Sequence, residues 1–281
     1  MKIGVITDCF KLPLDKSIAL ASELYFDGVQ IYATSGEFSP ALSISERIAI
    51  KKLLDAKNLE VSALCGDMGG FGFQIEKDNP DRIEKTKRII DLACDFDTTV
   101  VTTHIGVIPA DTKNPRYAVM LDALSRCGEY AAKRGVTLAI ETGPENARVL
   151  CDFVSSIEAG VGVNLDPANF VMVTGQDPVE AVEILGRYIV HTHAKDGIML
   201  QQTDPERIYG CFASGNEERI NIPDYFYETP LGKGQVDFPA YIKALSKIGF
   251  NGYLTVERET GSNPKADIIL ARDTLKGLLG K

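Results

Sequence analysis

Glu141, Asp166, His193 and Glu257 are residue types that bind divalent metals, and each closes a short apolar run of the chain. The runs are VTLAIE (136–141), VGVNLD (161–166), YIVHTH (188–193) and GYLTVE (252–257). Three carboxylates and one imidazole form a donor set for Mn²⁺, Mg²⁺, Co²⁺, Fe²⁺ or Zn²⁺, since carboxylates favour hard ions and histidine adds borderline character. A lone acidic residue at a strand end is more often a helix cap or an ion-pair partner. Four of them on four separate runs carry more weight. No two are sequence neighbours, so they meet only in a fold that gathers strand ends at one rim.

The rest of the chain supplies such a fold. Four further strand-like runs precede these: KIGVIT (2–7), GVQIY (28–32), EVSALC (60–65) and TTVVTTHI (98–105). Helix-length amphipathic segments separate all eight, and this alternation implies a parallel sheet covered on both faces. Ser43 to Glu46 has capping-box spacing. Asn79-Pro80, Asn114-Pro115, Asp177-Pro178 and Asn263-Pro264 each pair an N-cap residue with a proline suited to the first helical turn. Gly28, Gly135, Gly160 and Gly249 fall between helix and strand, where a left-handed C′ residue is favoured. The sequence thus predicts an α/β fold, a single (β/α)₈ barrel over residues 1–281 with parallel strands inside and helices outside. Chemistry in such barrels sits at the C-terminal ends of the strands.

Two segments break the rhythm: the glycine-rich 66–77 (GDMGGFGFQIEK) and a long insertion at 194–236 after the seventh run. Both follow strands, so both belong on the rim with the four ligands. Their irregularity reads as functional loop rather than a second domain. GGFGF (69–73) lacks the Lys-Ser/Thr ending of a phosphate loop.

Composition narrows the partners. The 281 residues carry 30 basic and 39 acidic side chains, a formal charge of −9, which argues against nucleic acid. Six cysteines show no CxxC spacing and read as reduced core thiols. MKIGVITD enters a strand pattern at once, and no apolar run approaches membrane-spanning length. The expectation is a cytoplasmic protein with no membrane partner.

The motifs around the four ligands resemble those of the xylose isomerase-like barrel superfamily of sugar isomerases and epimerases. The matching pieces are AIETGPE (139–145), NLDPAN (164–169), HAKD (193–196), LTVERE (254–259) and PLGKGQVDF (230–238), and the likeness runs along essentially the whole chain. It implies one bound divalent metal, a small carbohydrate substrate and a role in carbohydrate metabolism. It further implies that Glu141 and Glu257 both hold metal and move protons beside the sugar carbonyl, with Asp166 and His193 as ligands. Members are often dimers or tetramers, so a homo-oligomer is compatible with it.

The residues that would meet substrate depart from the family pattern. Asn169 stands where ketose 3-epimerases usually have histidine, Gln30 where a glutamate is common, and Arg207 lies farther along the loop than the expected arginine. His104 resembles the family's rim histidine and is a candidate substrate contact. Lys195 is a further candidate for substrate binding; in the HAKD run it and Asp196 are expected to orient His193, and His191 to lie deeper in the barrel behind it. Asp8 reads as a cap, and Phe71, Phe73, Tyr209 and Phe212 as loop packing. The leading expectation is a metal-dependent sugar or sugar-phosphate isomerase or epimerase. A polyol dehydratase of the inosose type could use the same first proton abstraction. An endonuclease IV-like nuclease fits poorly with three histidines, and a non-catalytic sugar-binding barrel fits poorly with both glutamates present.

Overall fold

The computed structural model describes residues 1–214 and 220–281. Eight parallel strands close into a barrel: β1 (Lys2–Ile6), β2 (Gly28–Tyr32), β3 (Glu60–Cys65), β4 (Val100–Thr103), β5 (Thr137–Glu141), β6 (Val161–Leu165), β7 (Ile189–Ala194) and β10 (Tyr253–Val256). Around the barrel, β1 pairs with β2 and β10, and β10 pairs with β7. This is the TIM barrel that the sequence predicts. The ligand-bearing strands β5, β6, β7 and β10 are consecutive neighbours in it.

The outer helices are α1 (Leu14–Glu23), α2 (Ile44–Ala56), α3 (Asn79–Asp95), α4 (Pro115–Lys133), α5 (Ala147–Ser155), α7 (Pro178–Leu185), α9 (Phe238–Lys247) and α10 (Pro264–Leu279). A single turn, α6 (Pro167–Asn169), follows β6. No described helix is long and apolar enough to cross a membrane. One continuous apolar core runs from the strands to the inner faces of these helices. All six cysteines are free.

Local chemistry starts most helices where the sequence says. Ser43 and Glu46 form the reciprocal capping box of α2, and Asn114, Asp177 and Asn263 cap α4, α7 and α10 through their side-chain oxygens. Asn79 departs from this pattern. It is the first residue of α3 rather than its cap, and its buried amide donates to the Phe73 carbonyl at 3.1 Å, tying down the glycine-rich loop. Gly28 also differs, because the left-handed residue before β2 is Tyr25 (φ 58°). Gly28 is instead needed for close approach: a Cβ there would lie 2.8 Å from the Glu60 carbonyl and 2.9 Å from the Tyr253 ring.

The insertion after β7 has secondary structure of its own. Strands β8 (Asp196–Met199) and β9 (Phe226–Thr229) form an antiparallel pair, and α8 (Pro205–Ser214) lies between them. Its two strands are four residues each, too short to show periodicity in the sequence. The insertion's apolar faces also pack outward onto the barrel: Ile208, Cys211 and Ile220 cluster with Ala168, Met172 and Val173 from the turns after β6. Tyr209 donates to the Gly70 carbonyl at 3.2 Å and Arg116 pairs with Glu206, so α8 is fastened above the rim.

Asp196 anchors the far end of the insertion and does not touch His193. Its buried carboxylate accepts from the amides of Gly197, Gly232 and Gly234 at 2.9 Å each and of Val236 at 3.2 Å. Gly234 passes so close that a Cβ would sit 2.1 Å from Asp196 Oδ1. The HAKD and PLGKGQVDF motifs are therefore the two halves of one contact. Asp196→Ala strands three to four amides of a buried carboxylate cage. It is expected to cost on the order of 3 kcal/mol, read as a lowered urea midpoint, with Asp196→Asn intermediate.

Candidate functional site

The four strand-end residues converge. One ligand atom from each of Glu141, Asp166, His193 and Glu257 lies within 4.8 Å of the others, and all four side chains are buried. Among the described residues this is the one such group of three or more. His193 Nδ1 stands 2.7 Å from Glu257 Oε2, 3.1 Å from Glu141 Oε1 and 3.5 Å from Asp166 Oδ2. None of these approaches has hydrogen-bond geometry: Nδ1, Glu257 Oε2 and Asp166 Oδ2 are buried without a hydrogen-bond partner. Buried polar atoms left unpaired are costly. A divalent cation held between them would satisfy all three at once, so the donor set fits such an ion.

The surrounding groups aim the donors. Asp166 ends β6 and caps α6, with Oδ1 accepting from the amides of Ala168 and Asn169 at 2.7 and 3.1 Å. That leaves Oδ2 to face the cluster. The far nitrogen of His193, Nε2, lies 3.1 Å from Gln30 Oε1, while the Gln30 amide donates to Thr102 Oγ1 at 3.2 Å. Gln30 thereby presents its carbonyl, which holds the proton on Nε2 and frees the Nδ1 lone pair for a ligand. Asn164 donates to Glu141 Oε2 at 3.1 Å, and its own oxygen lies 2.9 Å from His191 Nδ1. His191 is completed by Thr255 at 3.0 Å. The pairing register slips at Val29/Gln30 and at Val163/Asn164, the positions of both residues that contact Nε2 of His193. Such irregularities re-aim side chains at barrel rims.

Electrostatics follow from this crowding. Burial pushes the Glu141 and Glu257 carboxyls upward. His193, with His104 beside Glu141 and Lys195 beside Glu257, more than offsets it and holds both below the usual carboxylate range. Burial lowers His193, but Glu141 and Glu257 raise it further, so without a metal it carries a proton. His191 has no such compensation: burial and the neighbouring His193 push it down to about 3, and it stays neutral.

The remaining expected site residues divide. Gln30, His104, Asn169 and Lys195 line the same cavity as Glu141, His193 and Glu257. Asn169 also donates to the Thr142 carbonyl at 3.0 Å. Lys195 partners Glu257 (3.2 Å) and Glu259 (2.8 Å), not His193. Arg207 is exposed on α8 and does not line the cavity. Tyr209 and Phe212 line it, whereas Phe73 belongs to the core. Asp8 caps no helix; its carboxylate accepts from Thr7 Oγ1 at 2.9 Å. Asn164 was not singled out in the sequence, though it lies in the NLDPAN motif two residues before Asp166, on the same face of the strand. Nor was Glu145, which is buried beside the loop after β4.

Residues 18–278 match the family model described as the xylose isomerase-like TIM barrel. The chain belongs to that family. A rhizopine catabolism protein, MocC of Rhizobium meliloti, is 26% identical over 80% of this chain and 70% of its own. Fructoselysine 3-epimerase of Shigella flexneri is 24% identical over 92% of this chain and 91% of its own. Among solved members of the fold, the IOLI protein, whose crystal structure holds a zinc atom, superposes with a TM-score of 0.75 at 18% identity, over 100% of this chain and 98% of that one. The xylose isomerase-like barrel here thus has relatives along nearly its full length, at identities that leave the substrate open.

Two expectations follow from the geometry. Gln30→Leu removes the carbonyl that fixes the His193 tautomer and should weaken divalent-metal binding about 10–100-fold, measured by competition with a metal indicator. Glu145 tests the fold's pH dependence. Burial lifts its carboxyl from 4.5 to about 8, so between those values the unfolded chain is ionised while the folded one keeps the proton. Stability must therefore fall as pH rises through this window. Glu145→Gln should remove that fall, a relative gain on the order of 3 kcal/mol between pH 5 and 8; parallel slopes for both proteins in denaturant melts would refute it.

Proposed function

We propose that the protein is a divalent-metal-dependent isomerase or epimerase of a small carbohydrate, with Glu141 and Glu257 as its proton-transfer groups. The observation that carries this is the cluster itself: two glutamates, Asp166 and His193 Nδ1 converging within 4.8 Å, with three of the donor atoms otherwise unpaired. The epimerase activity of the fructoselysine relative and the zinc atom of the IOLI structure support it.

A divalent ion held by the four residues would supply Lewis-acid stabilisation of the negative charge that builds up when a carbon beside a carbonyl is deprotonated. Everything else is done by the chain. Glu257 and Glu141 project from β10 and β5, on the two sides of His193 in β7, so a substrate lying across the cluster meets one carboxylate on each face. Without a metal, His193 with His104 and Lys195 holds both carboxyls below their usual range, and a divalent ion held between them would likewise favour the ionised form that acts as a base. One takes the C–H proton while the other takes the proton of the adjacent hydroxyl. The second then delivers its proton to the opposite face of the carbon, and the first returns its proton to the oxygen. The proton count closes without a glutamate that begins protonated. Lys195 bonds Glu257 and Asn164 bonds Glu141, which keeps each carboxylate in place as it gains and loses charge. Asn169 and His104 face the cavity as hydrogen-bonding groups for hydroxyls.

The test uses purified protein stripped with a chelator and reloaded with Mn²⁺, Mg²⁺, Co²⁺ or Zn²⁺, against a panel of ketoses and inososes. Stripping should abolish turnover and reloading should restore it. The product should be an isomer carrying one solvent deuterium. Glu141→Gln and Glu257→Gln should each lower kcat by about 10²–10⁴-fold. Full turnover after exhaustive metal removal, or in both variants, would sink the reading. Loss of water from the product would assign a dehydratase that shares the first proton abstraction.

A further inference from the structure

The cavity above the cluster is much larger, and much less polar, than a simple sugar requires. It encloses about 690 Å³, in the range of sites for drug-sized ligands rather than single monosaccharides. Its floor is polar, built from the metal-binding carboxylates with Lys195, His104 and Asn169. Its outer wall is apolar. Met172 and Val173 come from the turn after β6, Ile208 and Phe212 from α8, and Phe226 and Tyr227 from β9. Phe212 and Tyr227 leave 61% and 45% of their surface open, far more than core packing leaves to rings of this size. The wall is therefore available to a ligand whose inner end sits on the cluster.

Charge narrows that ligand. Among the described residues lining the cavity, Lys195 is the one lysine or arginine, and Glu257 and Glu259 already engage it. Asp67 and Glu259 add carboxylates to the wall, while Glu228 is paired with Arg258. Among the described lining residues a phosphate ester would find no unengaged lysine or arginine, and it would meet those carboxylates. We infer that the substrate is an uncharged sugar or cyclitol bearing an apolar substituent, an aryl or alkyl group, which lies against the insertion while the polyol head reaches the cluster. This rests on the proposed carbohydrate reaction and specifies its substrate class.

The experiment measures binding, not turnover, so the two readings fail separately. Isothermal titration of the metal-loaded protein compares D-fructose, 6-O-benzyl-D-fructose and D-fructose 6-phosphate, with glucose, phenyl β-D-glucopyranoside and glucose 6-phosphate as a second head. In at least one series the aryl derivative should bind about tenfold or more tightly than the bare sugar, and the phosphate more weakly than both. Phe212→Ala and Tyr227→Ala, at open positions that leave the core filled, should collapse the aryl-to-bare affinity ratio, while Phe212→Leu should retain most of it.

A tighter phosphate, or no aryl preference with either head, overturns the inference even if the isomerase reading holds. An unchanged ratio in both alanine variants overturns it too, including where Phe212→Ala instead alters the oligomeric state and so assigns the ring to a second copy of the chain. An aryl preference without any turnover supports the inference and counts against the isomerase reading alone.

Discussion

Three carboxylates and an imidazole brought within 4.8 Å in the interior set the constraint around which the rest of this molecule is arranged. Like charges at that separation repel strongly where water is excluded. The structure meets the repulsion with positive charge from two sides: His193, held protonated in the metal-free state by Glu141 and Glu257, and Lys195, lodged between Glu257 and Glu259. The proton on His193 Nδ1 lies where a divalent ion held by the four residues would bind. Binding such an ion would discharge that proton and add positive charge among the carboxylates.

That exchange is feasible only if the donor atoms stay aimed when the proton leaves, and the aiming is done from outside the cluster. Gln30 on β2 and Asn164 on β6 both reach His193 Nε2, and both lie where the sheet register slips. At each slip the extra residue belongs to the neighbouring strand, Ser62 in β3 and Val190 in β7. Asp166 spends one oxygen on the amides of α6 and keeps the other for the cluster. His191 stays neutral between Asn164 and Thr255. It transmits the rigidity of β10 to Glu141 without adding charge.

The barrel and its ligand rim were legible in the sequence because both are written in short-range patterns. Apolar runs of strand length mark the strands, cap residues with prolines mark the helices, and a strand's last residue marks the rim. What escaped reading depends on contacts between distant segments. Asn164 is a polar residue inside a strand, and only the neighbouring strands reveal what it bonds. Asp196 reads as a partner of His193 from its place in HAKD, but three of its four amide donors lie 36 to 40 positions away. Gly28 has the position of a helix-ending residue, yet Tyr25 takes that conformation and Gly28 is needed for the closeness of Tyr253. The insertion's strands were hidden because each has four residues, and its helix finds its apolar partners on the turns after β6 rather than in the main core.

The same distinction separates chemistry from selectivity. Glu141 and Glu257, the proposed proton-transfer groups, stand at the ends of strands of a closed barrel, where the sheet fixes their backbone neighbours. Much of the apolar wall stands on α8 and β9, which meet the barrel through the buried cluster of Ile208, Cys211 and Ile220 with Ala168, Met172 and Val173, and through Tyr209 to Gly70, Arg116 to Glu206 and Arg258 to Glu228. Phe212 and Tyr227 stand open on that wall, so they can change without disturbing the donors beneath it. The reverse does not hold, because altering Gln30 or Asn164 disturbs His193 and Glu141 directly. On the proposed reading, such a fold would keep one reaction at its floor while the insertion above selects the molecules that reach it. The departures at Gln30 and Asn169 from the common ketose-epimerase pattern lie at the boundary between these layers. On the proposed reading they act with the wall in setting the substrate, while Gln30 also orients His193.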